Sequence, residues 1–470
     1  MSRKIILFEL NEVPNRIIDE YCRWHPESIL AQKLERCLRY DTFTEDVGNL
    51  SPWITWPSLH RGVNNERHLL SDFGQSTSDV DKEHPPLWRI LQRRGVSTGV
   101  GGSLHTYPPP EEFDRYAFYL PDTFAAGSEC FPRVLEAFQA FNLEMARESA
   151  RNVSSRVPWA SALRLLRNAP ALGLRASTAL DVAAQLLAER HTPERRVRRR
   201  SYQSVLAFDV FMKFLDRTRP AFATFFTNHV ASAMHRYWAA AFPGDYDTVD
   251  YESQWIAQYR NEIRFAMGKA DQFLARVLAF ADDNPEYAVW ITTSMGQAAT
   301  MARPVETQLY VTDGLRLMAA LGLAASDWQQ RPAMFPQFNV AMTSTRQSEL
   351  VERLNTLHIA GVPLSFRAVD GFVSLDFGHE NLPAGAHADL DGTPQSFAAL
   401  GLSNVEIEDK SRTNAYHIPQ GCLLIYDPQR NGRGFRARQQ VSTLEIAPSI
   451  LDNFGVEVPG YMRAPSTSLS

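Results

Sequence analysis

Four apolar runs along the chain predict buried strands. Residues 4–10 are almost continuously apolar, and the runs at 221–227, 287–291 and 423–426 have the same character. Short apolar runs without alternation are typical of strands that are covered on both faces of a sheet. We therefore predict that these four segments are core strands.

Segments with helical character alternate with these runs. Pro14 suits the first turn of a helix, where a missing backbone donor costs nothing. The predicted helices that pack on the core cover residues 17–22, 87–91, 201–216 and 255–281. This alternating order predicts an α/β fold with a mostly parallel central sheet and helices on both faces.

The middle of the chain interrupts the alternation. Three consecutive prolines follow Tyr107, and amphipathic segments at 134–145, 160–166 and 180–187 then predict helices. We expect residues 1–106 to form the first part of a core α/β domain and 107–200 a helical insertion or cap. Residues 201–470 are then the second part of the core, with a small antiparallel excursion near 360–410.

Composition narrows the class of protein. The 470 residues are 44% hydrophobic and 21% charged, as in ordinary globular proteins. A net charge of −5 argues against nucleic acid as a partner. No apolar run reaches the roughly 20 residues of a membrane span, so we expect no transmembrane segment. The four cysteines have no C-x-x-C spacing and predict reduced thiols in a cytoplasmic protein.

Residues 195–200 include five arginines. Such a run is typical of a solvated helix face, and the alternative is a contact for an anionic substrate or a lipid headgroup.

Polar residues follow three of the predicted strands. Asn11 and Glu12 come after the first strand, Asn228 and His229 after the run at 221–227, and Ser294 after the run at 287–291. Strand ends are the usual place for site residues in an α/β sheet. Asn228 and His229 are therefore candidates for site residues.

Three further segments bear on the chemistry. His417 lies on a predicted loop before the strand at 423–426, and residues 51–62 contain hydroxyl side chains at a predicted helix start. Residues 441–451 predict a short C-terminal helix with Pro448 in its first turn and Gly455 at its end.

Together these segments resemble the alkaline phosphatase-like superfamily, in its type I phosphodiesterase and nucleotide pyrophosphatase branch. The segment E-I-A-P-S-I-L resembles the superfamily's C-terminal motif, the loop with His417 resembles a metal-binding G-x-H segment, and His235-Arg236-Tyr237-Trp238 resembles H-R-x-W. The resemblance implies an alkaline phosphatase-like α/β sandwich over residues 4–105 and 201–465. It also implies a phosphoester as substrate.

The metal ligands implied by the resemblance are only partly present. His235 and His417 match two histidine ligands of one metal, with Asn228 or His229 in place of an aspartate. The resemblance also implies a second metal, whose usual ligands are replaced in this chain by Asn11, Ser294 and Met295. Methionine is a poor ligand for a hard cation. We expect one divalent metal, zinc first, or none, and no second metal. Glu12 could supply a carboxylate from its turn.

The resemblance places the attacking hydroxyl at the start of the helix in 51–62. Pro52 occupies the aligned position, so we predict Thr55 as the nucleophile and Ser51 next, with His229 as a possible acid or base. The predicted substrate-binding residues are Asn11, Glu12, Trp56, Ser294 and Arg236.

The predicted function is hydrolysis of a small anionic phosphoester, such as a phosphodiester, a nucleotide or a sugar phosphate, with a reduced metal site. One alternative is a non-catalytic member or scaffold that binds an anionic ligand in the same cleft. Another is a metal-independent transferase or lyase that uses Asn228, His229 and Glu12.

Overall fold

The computed structural model describes residues 2–148, 152–153, 158–334, 336–430 and 438–469. The strands, numbered in chain order, are β1 Lys4–Leu10, β2 Leu38–Phe43, β3 Thr98–Gly101, β4 Phe118–Leu120, β5 Phe222–Thr227, β6 Tyr287–Thr292, β7 Gly296–Ala299, β8 Thr307–Val311, β9 Trp328–Arg331, β10 Gln337–Met342, β11 His358–Ile359, β12 Val362–Pro363, β13 Ser365–Val369, β14 Phe372–Asp376, β15 Ala388–Leu390, β16 Thr393–Gln395, β17 Leu402–Glu406, β18 Ala415–Ile418, β19 Gln420–Tyr426 and β20 Gln439–Ser442.

The α-helices are α1 Asn15–Trp24, α2 Ile29–Leu34, α3 Pro52–Arg61, α4 Asn65–His68, α5 Val80–Glu83, α6 Leu87–Arg93, α7 Glu136–Glu148, α8 Trp159–Arg167, α9 Ala169–Leu172, α10 Ala176–His191, α11 Arg199–Thr218, α12 His229–Ala241, α13 Ser253–Tyr259, α14 Glu262–Asp283, α15 Gly314–Ala320, α16 Ser344–Leu354 and α17 Ile446–Asn453. Short 3₁₀ helices cover Phe113–Arg115, Arg133–Leu135, Pro193–Arg198, Pro243–Asp245, Phe397–Leu400 and Thr443–Glu445. The single helix predicted over 255–281 is two helices, α13 and α14.

The central sheet has eight strands in the order β20-β2-β19-β6-β1-β5-β3-β4. Its pairings are parallel except those of β19, which is antiparallel to both β2 and β6. The four predicted core strands are β1, β5, β6 and β19, and the predicted mostly parallel sheet is confirmed.

Both faces of this sheet are covered. Along β1 the buried side chains of Ile6, Phe8 and Leu10 join one apolar cluster, and those of Ile5 and Leu7 join another. Alternate side chains of a strand point to opposite faces, so each cluster lies on its own side. The first cluster includes residues of α1, α11, α12 and α14, and the second includes residues of α3, α6 and α17. The predicted α/β sandwich is confirmed.

The C-terminal helix α17 packs as its motif predicts. Ile446, Ala447, Ile450 and Leu451 are buried in the second cluster. Pro448 lies in the first turn and Gly455, just beyond the end, has a φ of 64°. A positive φ is costly for residues other than glycine, so this position ends the helix cleanly.

The antiparallel region begins earlier in the chain than the predicted 360–410. Strands β13, β14, β10 and β9 form a four-stranded sheet, and a third apolar cluster lies between its strands and α15 and α16. The division of the chain into domains stays a prediction. None of the described helices is both long and apolar enough to cross a membrane, and the four cysteines are free thiols.

The arginine run at 195–200 is largely occupied by contacts within the protein. Arg198 pairs with Glu262 at 2.7 Å, Arg199 with Glu189 at 2.6 Å and Arg196 with Glu408 at 3.2 Å. These ion pairs join the start of α11 to α10, α14 and the loop after β17. The run therefore holds elements of the fold together.

Candidate metal centre and active site

Three neighbouring strands deliver polar residues to one edge of the central sheet. Leu10 of β1 lies opposite Thr227 of β5, and Glu9 lies opposite Thr292 of β6. Because these strands are parallel, the residues after their carboxyl ends must lie side by side. Asn11 Nδ2 accordingly donates to Asn228 Oδ1 at 2.7 Å. The structure thus brings the ends of β1 and β5 together at this edge.

Glu12 lies at the centre of this edge. Its backbone has a φ of 60°, a left-handed conformation that costs a glutamate roughly 1–2 kcal/mol. The turn directs its buried carboxylate towards two histidines from other parts of the chain. Glu12 Oε2 lies 2.9 Å from His235 Nε2 of α12 and 3.4 Å from His417 Nε2 of β18.

Backbone carbonyl groups orient both histidine rings. His235 Nδ1 lies 2.7 Å from the Ala415 carbonyl oxygen, and His417 Nδ1 lies 2.7 Å from the Leu50 carbonyl oxygen. A carbonyl oxygen can only accept, so both Nδ1 atoms carry the proton and both Nε2 atoms face Glu12. This is the arrangement that prepares histidine for a metal, because the outer contact fixes the ring and its tautomer.

Glu12 Oε2 and the Nε2 atoms of His235 and His417 need a positive charge among them. If both rings were neutral, two Nε2 lone pairs would face a carboxylate. Among the described residues, His417 Nε2 is also buried without a hydrogen-bond partner. Either protons on the rings or a metal ion resolves this, so the residues fit a metal.

The opposite charges of Glu12 and the two histidines shift the pKa values of Glu12 and His417. Burial would raise the pKa of Glu12, but the facing His417 and His235 outweigh it and hold the pKa well below its usual value. Burial would lower the pKa of His417, yet the Glu12 charge and the contacts of the ring raise it. The carboxylate is therefore ionised and ready to balance a cation.

Glu12, His235 and His417 form the one group of three or more histidine, cysteine or acidic ligand atoms found within the described part of the chain. Their ligand atoms all lie within 4.8 Å of one another. Two imidazoles and one carboxylate are a ligand set used by catalytic zinc, with a fourth position open to water or substrate. Glu12, anticipated as a possible carboxylate from the turn, thus joins the two predicted histidine ligands.

A second layer of amides holds Glu12 in place. Asn11 Nδ2 donates to Glu12 Oε1 at 2.7 Å, and Gln297 Nε2 donates to Glu12 Oε2 and, at 3.2 Å, to the Ala231 carbonyl. Gln297 was not among the predicted site residues. It lies directly opposite His417 because β7 and β18 pair in antiparallel register, and a pairing across such a long stretch of chain leaves no local signal.

The other half of the cleft contains neutral groups that bind one another. Thr55 Oγ1 lies 2.8 Å from Ser294 Oγ, and Trp56 Nε1 donates to Asn11 Oδ1 at 2.7 Å. All four side chains are buried. Of the residues predicted to bind substrate, Asn11, Trp56 and Ser294 are therefore packed and hydrogen-bonded inside the protein instead of open to a ligand.

The two candidate nucleophiles have different surroundings. Ser51 is the N-cap residue of α3 and is partly exposed, and its Oγ accepts from the Trp53 amide at 3.3 Å. The preceding residue, Leu50, supplies the carbonyl that holds His417. Thr55 lies one turn into the helix, is fully buried, and its hydroxyl reaches back to the Ser51 carbonyl at 3.2 Å.

Two other predicted site residues form hydrogen bonds within the protein. Arg236 directs its guanidinium to the Ser232 carbonyl at 3.0 Å and hydroxyl at 2.8 Å, one turn earlier on α12. Asn228, predicted as a metal ligand, uses its Oδ1 to accept from Asn11. It thus supports the residue that holds Glu12.

His229 points away from this cluster into the core. Its Nδ1 lies 2.7 Å from Thr227 Oγ1 and its Nε2 lies 3.0 Å from the Ala266 carbonyl oxygen. Both ring nitrogens are thus occupied, and burial lowers the pKa of His229 to about 4. The geometry gives this residue a structural place, in contrast to the predicted acid or base role.

This burial predicts a loss of stability in mild acid. The unfolded chain protonates His229 below about pH 6.5, whereas the folded protein resists protonation until about pH 4. Between these values the unfolded state binds more protons, so the free energy of unfolding should fall by up to about 1.4 kcal/mol per pH unit. Urea unfolding at several pH values should show a shallower fall for His229→Gln than for wild type. The exposed His387→Gln should leave the slope unchanged.

Comparison with known proteins adds structural neighbours only. No family model matches the chain, and no curated protein matches its sequence. A solved alkaline phosphatase, PafA, matches over 100% of this chain and 99% of its own, with 11% identity and a TM-score of 0.45. Phosphonoacetate hydrolase from Sinorhizobium meliloti 1021, in complex with phosphonoformate, matches over 95% of both chains with 12% identity and a TM-score of 0.42.

Murine ectonucleotide pyrophosphatase/phosphodiesterase 5 in complex with AMP matches over 97% of this chain and 96% of its own, with 12% identity and a TM-score of 0.38. The fold described above rests on the sheet topology of the chain itself.

Proposed function

We propose that this protein is a one-metal phosphoester hydrolase. The observation that carries the proposal is the convergence of Glu12, His235 and His417 on one point, with ligand atoms within 4.8 Å of one another. The resemblance of the H-R-x-W segment to type I phosphodiesterases supplies the substrate class. Zinc is the metal that two nitrogens and one carboxylate oxygen suit best.

Each residue of the cluster has a defined task in this proposal. Glu12 balances the charge of the cation, and His235 and His417 bind through Nε2 because their Nδ1 atoms are held by carbonyl groups. Asn11 and Gln297 keep the Glu12 carboxylate in place. A bound zinc ion would act as a Lewis acid and lower the pKa of a coordinated hydroxyl or water.

We assign the attacking hydroxyl to Ser51. It would lose its proton and form a bond to phosphorus while the P–O bond to the departing alcohol breaks and that alcohol takes up a proton. Water would then cleave the serine ester to release the phosphate product. Ser51 is the N-cap residue of α3, it is partly exposed, and it follows Leu50, whose carbonyl oxygen contacts His417 Nδ1. The N-terminal end of a helix also favours an anionic group, because its free amides and dipole point there. Thr55 is buried, and its hydroxyl is hydrogen-bonded to that of Ser294.

The test measures zinc binding and phosphoester hydrolysis by the same protein. Protein stripped by chelation should bind one zinc ion per chain and then hydrolyse bis(p-nitrophenyl) phosphate or p-nitrophenyl phosphate. Glu12→Gln and the double variant His235→Ala/His417→Ala should lower zinc affinity at least about a hundredfold and lose hydrolysis in parallel. His387→Ala, an exposed histidine outside the cluster, serves as the matched control.

Two outcomes would contradict the proposal. Hydrolysis that survives chelation and the double histidine substitution would point to a metal-independent transferase or hydrolase in the same cleft. Zinc binding without turnover of any diester, monoester or phosphonate would favour the non-catalytic binding protein. Circular dichroism of each variant shows whether a loss reflects unfolding.

A further inference from the structure

The two longer helices of the 158–191 segment expose apolar side chains. On α8 these are Trp159, Leu163 and Leu166, with Trp159 exposed at 78% and Leu166 at 62%. Their spacing of four and then three residues places them on one side of the helix. Isolated exposed leucines are ordinary, but a continuous stripe on one helix is not.

Helix α10 is oriented with its apolar side outward. Leu180, Ala183, Ala184 and Leu187 follow the spacing of one helix face, and all four are exposed, Leu180 at 72%. A helix on a globular protein normally turns such a stripe towards the core. Here the inward side contains the buried polar residues Thr178, Gln185 and Glu189, with Val182 partly buried beside them.

Specific polar contacts hold α10 in this orientation. Glu189 pairs with Arg199 at 2.6 Å, and Gln185 donates to Glu189 at 2.9 Å. Asp181 accepts from Tyr202 at 2.9 Å and pairs with Lys269. Turning the leucines inward would break these buried contacts, which is costly for charged groups. The outward apolar face is therefore built into the fold.

The charges on the exposed sides of these helices have one sign. Helix α8 contains Arg164 and Arg167 and no acidic residue. Neither guanidinium makes an ion pair with any residue that the structure describes. The acidic residues of α10, Asp181 and Glu189, are engaged on its inner side, while Arg190 near its end is exposed.

From these observations we infer that α8, with its exposed apolar stripe and its two arginines, docks the protein on an anionic lipid surface, and that the outward leucines of α10 add a second apolar contact. Exposed leucines with a tryptophan and flanking arginines are the side chains of helices that lie in a membrane interface. The apolar residues enter the acyl boundary, and the arginines extend to phosphate headgroups. A two-fold contact between copies through this face would instead oppose arginine with arginine, which disfavours a dimer.

The inference is independent of the proposed hydrolase and is tested on the full chain with vesicles. Wild-type protein should sediment with vesicles of equal phosphatidylglycerol and phosphatidylcholine, and at least about tenfold more weakly with phosphatidylcholine alone. Leu163→Glu/Leu166→Glu should weaken binding at least about thirtyfold. Leu315→Glu, at an equally exposed leucine of α15 (62%), should bind like wild type.

A second variant separates charge from apolar contact. Arg164→Gln/Arg167→Gln keeps the leucines and should lower binding to the anionic vesicles about twentyfold. Circular dichroism should show all variants folded, since each changed residue is exposed.

Absence of binding to anionic vesicles would overturn the inference. So would binding that the leucine variant leaves unchanged. A dimer in light scattering that Leu163→Glu/Leu166→Glu converts to a monomer would assign the face to a second copy of the chain.

Discussion

Replacing Ser51 by alanine is expected to lower phosphodiester hydrolysis by the zinc-loaded protein at least about a thousandfold, with zinc binding unchanged. The reason is chemical: alanine has no hydroxyl to attack phosphorus, while Glu12, His235 and His417 keep their contacts. Steady-state rates and zinc titration of the same preparation check both halves of the result.

Ser51 also caps α3, so its substitution has a structural effect that must be separated. Loss of the cap should cost about 1 kcal/mol of stability. Ser51→Asn keeps a capping oxygen without the nucleophile and should be as inactive as the alanine variant. Ser28→Ala removes the equivalent cap of α2, where Oγ accepts from Ala31 at 3.1 Å, and should remain active. Full activity in Ser51→Asn would transfer the role to water or Thr55.

Replacing Trp56 by alanine should have the largest effect on stability, about 3–5 kcal/mol. The side chain is fully buried in the second apolar cluster, stacks with His60, and donates to Asn11 Oδ1 at 2.7 Å. Alanine leaves a cavity and an acceptor without its donor. Chemical denaturation of wild type and variant measures the difference.

The same position links the core to the metal cluster. Trp56→Phe fills most of the volume but removes the donor to Asn11, which in turn holds Glu12. We expect a loss of about 1–3 kcal/mol in stability, together with weaker zinc binding. Trp159→Ala, at an exposed tryptophan, should change stability by less than about 0.5 kcal/mol. Unchanged zinc affinity in Trp56→Phe would show that Asn11 does not depend on this bond.

Much of the fold was predictable, because a buried strand appears in the sequence as a short run of apolar residues. The run at 4–10 predicted β1, and those at 287–291 and 221–227 predicted β6 and β5 to within a residue or so. The antiparallel direction of β19 was not predictable, since an apolar run has the same appearance in either direction.

The residues of the site also differ in whether the sequence could predict them. His235 and His417 could be selected because they lie in the segments that resemble the superfamily's H-R-x-W and G-x-H motifs. Gln297 could not, because its contact with Glu12 follows from the pairing of β7 with β18. The structure starts α3 at Pro52, which makes Ser51 its N-cap residue and places Thr55 one turn into the helix, and the choice between the two hydroxyls stays a prediction.

The sequence by itself determined the α/β class, the buried strands and the residue types available at the strand ends. Those properties depend on hydrophobic periodicity and on turn residues, which act over a few positions. Only the tertiary structure decided that Glu12 faces two histidines, that His229 is enclosed by the core, and that α10 turns its leucines outward. Each of these depends on contacts between residues far apart in the chain, where one turn or ion pair fixes the direction of a side chain.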